Sequence, residues 1–530
     1  MAVALRTVQQ LRRKRTRRVW LTVVAGIALA VLFGVIAAKL VGGGLTALAP
    51  INPPNLPGGI VVFTLLLIIP PLIRWPRGAI IFLLAGTTLI DQFSLTIGPT
   101  VTGGPSAKVL PNIPLFRSLT TGSFITPAEV LLFVLLVTWL MKGAREHDWH
   151  VPRSPLAKSM LFLYLLSVVV GAGLGVAHHG QFKEILWELR PWYALAAMYL
   201  LTSAFFAGRD IVRTLLWTIV LGSGTKSLEG VWYYFDVARK MTPRPEAILA
   251  HEESFFFGLF LLATLALWLF QVRGKLRIVA TSLVPLVVIA DLGNSRRDAF
   301  LLLYVGLAAL LVISFVGMPE RRAMFKKLNA VVAIGAVVYL GVFWNDGGTL
   351  GQPARAVHSA VAPDARDQSS DLYRQVENAD LEFNIHETRS IGKGFGVKIN
   401  YIYPITNLTA VDPMLAYIPH DSVLYVWYRL GILGEIAVWT VVGFGILGAC
   451  RLAKRGNRET AAFGAVAVCA ILCWVLMGYN DLGFTWIRIA MFMGFMLGAV
   501  EVMSQRLAAG HGVKELPEAV AVAAHEGAVG

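Results

Sequence analysis

A chain crosses a bilayer only where every backbone polar group is satisfied internally, so repeated apolar stretches of helix length leave few other architectures open. This sequence has about fourteen such stretches, judged against the roughly 20 residues that one crossing needs. They lie near 19–41, 58–74, 78–97, 125–142, 155–176, 189–207, 212–234, 254–272, 276–293, 298–317, 328–344, 422–449, 460–479 and 482–503. Of 530 residues, 56% are hydrophobic and 15% charged, and the mean hydropathy is +0.65, which excludes a string of soluble domains. The expected fold class is all-α, a polytopic integral membrane helix bundle of about 14 spans. Cys450, Cys469 and Cys473 fall in or beside apolar stretches and supply neither a disulfide framework nor a paired-Cys zinc site.

The net charge of +15 sorts by side of the membrane and does not indicate nucleic acid. Arg12, Arg13, Lys14, Arg15, Arg17 and Arg18 precede the first span and place the N-terminus in the cytoplasm. The first apolar run is too long for a cleavable signal peptide and lacks a small-residue cleavage pattern. From that start every inside loop is basic, from Arg74 and Arg77 to Arg451, Lys454, Arg455 and Arg458. An even number of spans, with both termini cytoplasmic, fits this alternation. The expected order is a basic cytoplasmic tail over 1–18, membrane helices over 19–344, an extracytoplasmic loop over 345–421 that carries catalytic residues, further helices over 422–503, and a disordered cytoplasmic tail over 504–530. Within the loop, Tyr373, Val376, Leu381 and Ile385 at roughly helical spacing predict a helix lying on the outer surface.

Four polar groups on the outer side are not explained by inside loops. The turn Asn294-Ser295-Arg296-Arg297-Asp298 puts two guanidiniums between apolar helices, either to bind phosphate or as snorkelling arginines with Arg297 satisfied by Asp298. The segment from His179 to Pro191 predicts an amphipathic interfacial helix, with Lys183, Glu184 and Glu188 facing water or a cavity and Arg190 at its end. His251-Glu252-Glu253-Ser254 opens a span, and helix capping accounts for its carboxylates without catalysis. His420-Asp421-Ser422 stands where the long loop returns to the membrane, and a neutral imidazole there is a plausible general base. The glycines of Gly392-Lys393-Gly394-Phe395-Gly396 suit a turn and not a nucleotide loop.

Together these segments resemble the O-antigen ligase and O-antigen polymerase superfamily, polytopic glycan transferases of bacterial surface polysaccharide assembly. Ser295-Arg296 stands in the place of that family's Ser-Arg-Gly signature, with Arg297 where a glycine is usual. Arg374, a helix and Ile391-Gly392-Lys393-Gly394-Phe395-Gly396 are similar to its helix followed by Gly-x-Gly-x-Gly. His420-Asp421-Ser422-Val423-Leu424 followed by Leu430-Gly431-Ile432-Leu433-Gly434 is similar to its His-Asn-Ser-x-Leu and Leu-Gly-x-x-Gly, with Asp421 where Asn is usual. The clear resemblance covers about residues 275 to 450.

The resemblance implies a glycan donor carried on undecaprenyl diphosphate and an outer-face transfer in the bacterial inner (plasma) membrane. The acceptor would be a glycan, lipid-core or protein hydroxyl. Membrane lipid would be the remaining partner, with no nucleic acid, cofactor or metal. On that expectation Arg296, Arg297 and Arg190 hold the diphosphate and His420 is the general base of a metal-independent, inverting displacement. Arg374, Arg389, Ser295 and Asp421 are secondary candidates, and Arg374 and Arg389 have a bland alternative in pairing with Asp371 or Glu387 on the helix surface. The motifs do not separate polymerase from ligase. The contrasting class is a multi-span transporter or flippase of lipid-linked glycan, for which Asp91, Glu129 and Lys226 would be the intramembrane ionisable groups.

Overall fold

The computed structural model describes residues 73–90, 115–116 and 125–511, apart from 148, 150, 207, 209, 237, 243–246, 389–390 and 404–412. The tail over 1–18, the expected span near 19–41, nearly all of that near 58–74, Asp91, Arg389 and most of the C-terminal tail lie outside the described residues. The helices are α1 (Pro76–Leu89), α2 (Pro127–Glu146), α3 (Pro155–Ala177), α4 (Phe182–Phe205), α5 (Asp210–Asp236), α6 (Glu252–Leu269), α7 (Lys275–Asn294) and α8 (Arg297–Gly317). They continue with α9 (Arg322–Phe343), α10 (Gln352–Val361), α11 (Ala365–Glu387), α12 (Ser422–Arg455), α13 (Arg458–Asn480) and α14 (Ile487–Ala508). Among the described residues there is no strand, and nine helices are long and apolar enough to cross a membrane.

Local chemistry sets several of the starts. Ser154 accepts the Ala157 amide ahead of Pro155, Asn457 accepts that of Thr460, and Asp364 accepts that of Asp367, each satisfying an amide that the helix itself leaves open. α2 belongs to a compact unit of its own with Trp149. There Thr126 and Glu129 form a capping box, so Glu129 is a helix-start residue and not a mid-membrane ion.

The remaining helices form the second unit, with α6, α13 and α14 in its interior: 83%, 83% and 94% of their apolar windows are enclosed, against 6% for the segment containing α9. Val331, Ile334, Val337, Val338 and Val342 of α9 are exposed, an apolar surface that suits hydrocarbon and not water. α14 lies against α4 at Gly494 and Gly498. A Cβ there would come within 2.4 Å of the Leu195 carbonyl oxygen and 2.8 Å of Thr202 Cβ, so these glycines let the two helices approach closely.

Two expectations for the segment before residue 192 need correction. The stretch from Phe182 is not a separate interfacial helix, because α4 runs unbroken through Pro191. Glu184 and Glu188 do not face water: both are buried, and Glu188 ion-pairs with the equally buried Arg429 of α12 at 2.8 Å. Lys226 is likewise enclosed and pairs with Glu229 one turn away at 2.8 Å. A buried cation with a hydrogen-bonded partner on its own helix is a structural solution to desolvation.

Candidate functional site

The turn between α7 and α8 and the helices of the 345–421 loop meet at one end of the second unit. Ser295 ends α7 in the left-handed region (φ 48°), and Arg296 is the N-cap residue of α8. Arg297 reaches Asp371 of α11 at 2.7 Å, while Asp298 faces Arg374 of the same helix at 3.9 Å. The adjacent Arg-Asp of the turn thus pairs crosswise with an Asp and an Arg one helical turn apart, pinning α11 to the start of α8. This corrects two readings: Arg297 is satisfied by Asp371 and not by Asp298, and Arg374 pairs with Asp298 and not with Asp371. Arg355 of α10 completes the group through Asp364 at 2.6 Å and Asp367 at 3.6 Å.

Leu381 and Ile385 of α11 pack with Ile399 and Tyr428, as their spacing predicts. The same buried face also carries polar groups, at Glu377, Asp380 and Asn384. Each has an assigned partner, as buried polar groups require. Asp380 accepts the amides of Ile402 and Tyr403 at 2.8 and 3.0 Å, and Asn384 exchanges hydrogen bonds with the backbone of Asn400. Glu377 accepts the His420 amide at 2.9 Å and faces the His420 Nδ1 at 3.0 Å. An ionised carboxylate only accepts, so Nδ1 carries the proton and Nε2 is the imidazole's basic nitrogen. Burial alone would lower the pKa of His420. The hydrogen bond and charge of Glu377, joined by the charge of Asp481 and opposed by Arg374, outweigh it and hold the pKa above the ordinary histidine value.

The glycine turn locks this loop into the bundle. Gly392, Gly394 and Gly396 all have φ between 76° and 94°, the region that side chains disfavour. Phe395 is fully buried, its amide donates to the Gly171 carbonyl at 2.7 Å, and Gly171 lies in a short π-helical segment of α3. Arg429 donates to the carbonyls of Gly394 and Tyr417 at 3.0 and 2.6 Å, and its partner Glu188 accepts the Gly396 amide. The Leu-Gly motif has a local reason as well: Gly431, with φ 66°, kinks α12 where the glycine turn abuts it.

A cavity of about 170 Å³ opens beside these pairs, lined by Ser295, Arg296, Arg297, Asp298, Arg355, Asp367, Arg374 and His251 among others. It therefore gathers Ser295, Arg296, Arg297 and Arg374 from the sequence candidates. His420 does not line it but lies within electrostatic reach of Arg374 and Asp481. Asp421 serves as the N-cap of α12, accepting the Val423 and Leu424 amides at 2.9 and 3.0 Å. Arg190 is half-buried on α4 and is not part of the cavity wall. Glu252 and Glu253 occupy the first turn of α6 as expected, but Glu253 reaches inward to the buried Arg488 at 2.7 Å, so charge neutralisation and not capping alone explains them.

Glu377 and Asp481 belong to no motif singled out from the sequence, and His251 stood out there only within the span-opening group His251–Ser254. A readable signal existed for Glu377, since 377, 380, 381 and 384 share one helical face with Leu381. No protein-family model matches this chain, and no curated protein matches it.

Proposed function

We propose that this protein is a membrane glycosyltransferase of the O-antigen polymerase or ligase kind. It moves a glycan from an undecaprenyl-diphosphate carrier to an acceptor hydroxyl at the outer face of the plasma membrane. The observation that carries this reading is the His420 imidazole, fixed by a buried carboxylate beside an arginine-lined cavity at the same end of the bundle. The motif order described above supports it independently.

In the proposed reaction the acceptor oxygen attacks the anomeric carbon from the face opposite the diphosphate, so the configuration inverts. His420 Nε2 takes the hydroxyl proton, and the bond from the anomeric carbon to the phosphate oxygen breaks with its electrons on the leaving diphosphate. Arg296, Arg297 and Arg374 stabilise the charge that develops there, which arginine forks suit by geometry. Arg190 stands aside from this centre and is retained only as a contact for a more distant part of the donor.

The test is reconstitution of the purified full chain with lipid-linked oligosaccharide and acceptor. Arg296→Ala is expected to lower transfer roughly 10²–10³-fold, or about 2.7–4 kcal/mol of transition-state stabilisation, in a protein that still folds. Full transfer in that variant would refute the assignment of Arg296, and movement of lipid-linked glycan across liposomes without transfer would refute the enzyme reading. Deleting the gene separates the two acceptor classes. Loss of long chains with single units still attached marks a polymerase, and accumulation of lipid-linked chains marks a ligase.

Glu377→Gln has an expected outcome of its own. His420 acts as a base only when neutral, so activity rises with pH through its folded pKa. Removing the carboxylate lowers that pKa, and the acidic limb of the pH–rate profile moves to lower pH while the plateau falls. Stability follows the same linkage: the His420–Glu377 contribution is present below the unfolded histidine pKa and is lost as pH rises through the raised folded value. An unchanged acidic limb in Glu377→Gln would detach His420 from the rate-limiting proton transfer.

A further inference from the structure

Three of the arginines that line the cavity, Arg297, Arg355 and Arg374, are held in ion pairs. They pair in turn with Asp371, with Asp364 and Asp367, and with Asp298, and of these carboxylates Asp298 and Asp367 line the wall with the arginines. His251 lines the same cavity with 45% of its side chain exposed. Its Nδ1 lies 3.2 Å from Asp481 Oδ2. Asp481 is buried at the end of α13, and its backbone carbonyl accepts the Ser422 hydroxyl at the start of α12. Burial opposes ionisation of Asp481, but the hydrogen bond and charge of His251, with the charges of His420 and Arg374, hold its carboxyl well below the usual carboxylate range. An ionised Asp481 fixes the proton on Nδ1 and leaves Nε2 for a ligand.

We propose that His251, oriented by Asp481, is a phosphate ligand of this cavity, binding the donor's diphosphate through Nε2–H when the ring is protonated. This rests on the diphosphate-donor reading and deepens it. The two imidazoles then divide the work: His420 accepts the acceptor's proton, and His251 supplies a switchable positive charge at the leaving group.

The groups around His251 come from seven places in the fold. Glu252 and Glu253 on α6 face Arg488 of α14, Arg296, Arg297 and Asp298 belong to the α8 turn, and Arg355, Asp367 and Arg374 come from α10 and α11. Asp481 and His420 complete the set. With Asp481 ionised behind it, a protonated His251 offsets that carboxylate and presents Nε2–H to an anion beside the arginines.

The experiment uses the full-length protein in lipid nanodiscs and geranylgeranyl diphosphate, a polyprenyl diphosphate without sugar, with affinity measured from pH 5.5 to 8.5. The ligand itself gains charge as pH rises, so the quantity read is the ratio of wild-type to variant affinity at each pH. His251→Gln is expected to bind about tenfold more weakly at pH 5.5, the scale of one charge-assisted contact, with the ratio falling towards one by pH 8.5. His251→Lys keeps a cation and should hold tight binding to higher pH. A His251→Gln variant that matches wild type across the range, or a pH-independent ratio, overturns the role of His251 while leaving the parent reading standing. Failure of the wild type to bind the probe at any pH overturns the diphosphate reading and this inference with it.

Discussion

Replacing His420 by glutamine is expected to lower turnover about 10²–10⁴-fold, the usual contribution of a positioned general base, with a much smaller change in donor KM. The side chain is 20% exposed and makes its polar contact with the fully buried Glu377, so glutamine fits the space and keeps a donor for the carboxylate. Only the basic nitrogen is lost. Single-turnover assays on protein that elutes and melts like wild type would check this, and transfer at more than about a tenth of the wild-type rate would remove His420 from the proton-transfer step. A structural histidine would show the opposite pattern, with a lowered melting temperature and near-normal specific activity.

The second large effect is on stability. Glu188 and Arg429 are both fully enclosed, and Arg429 also holds two backbone carbonyls of the returning loop. Arg429→Met leaves a buried carboxylate without its counter-charge, and loss of one partner of such a pair costs about 3–5 kcal/mol. The double variant Glu188→Leu with Arg429→Met removes both charges and is expected to regain part of that loss, but not all, because the carbonyls of Gly394 and Tyr417 stay unsatisfied. Thermal or denaturant unfolding of the wild type, each single variant and the double gives the coupling directly. A double variant no better than Arg429→Met alone would show that the carbonyl contacts, and not the ion pair, carry the effect.

Most of the helices were legible because apolar runs between basic loops leave little freedom, and capping residues such as Ser154 and Asn457 mark their starts. The turn at Ser295–Asp298, the helix bearing Leu381 and Ile385, and the glycine turn also stood out as local patterns. What could not be read was who pairs with whom. Glu188 looks like a solvated charge until Arg429 is placed against it, and Arg297 looks paired with its neighbour Asp298 until α11 arrives with Asp371. Electrostatic partners far apart in sequence leave no periodic trace, whereas burial of a helix face does. Glu252 and Glu253 show the same limit: first-turn carboxylates fit capping, and only the fold reveals Arg488. Pro191 misled for another reason, because α4 accommodates a proline that in isolation marks a break.

The arginine–aspartate pairs around the cavity bear on the selectivity of the proposed donor site. Arginines held in ion pairs project less field beyond about one Debye length than unpaired ones, so Arg297, Arg355 and Arg374 draw less on anions dissolved in bulk water. A phosphate that takes Arg297, Arg355 or Arg374 competes with the aspartates they hold, an exchange favoured when the incoming group is kept close for long times. A lipid-anchored diphosphate diffusing in the plane of the membrane meets that condition through its high effective concentration, and free phosphate does not. The crossed ion pairs that pin α11 to α8 would then act as a filter on how a ligand arrives as much as on what it is.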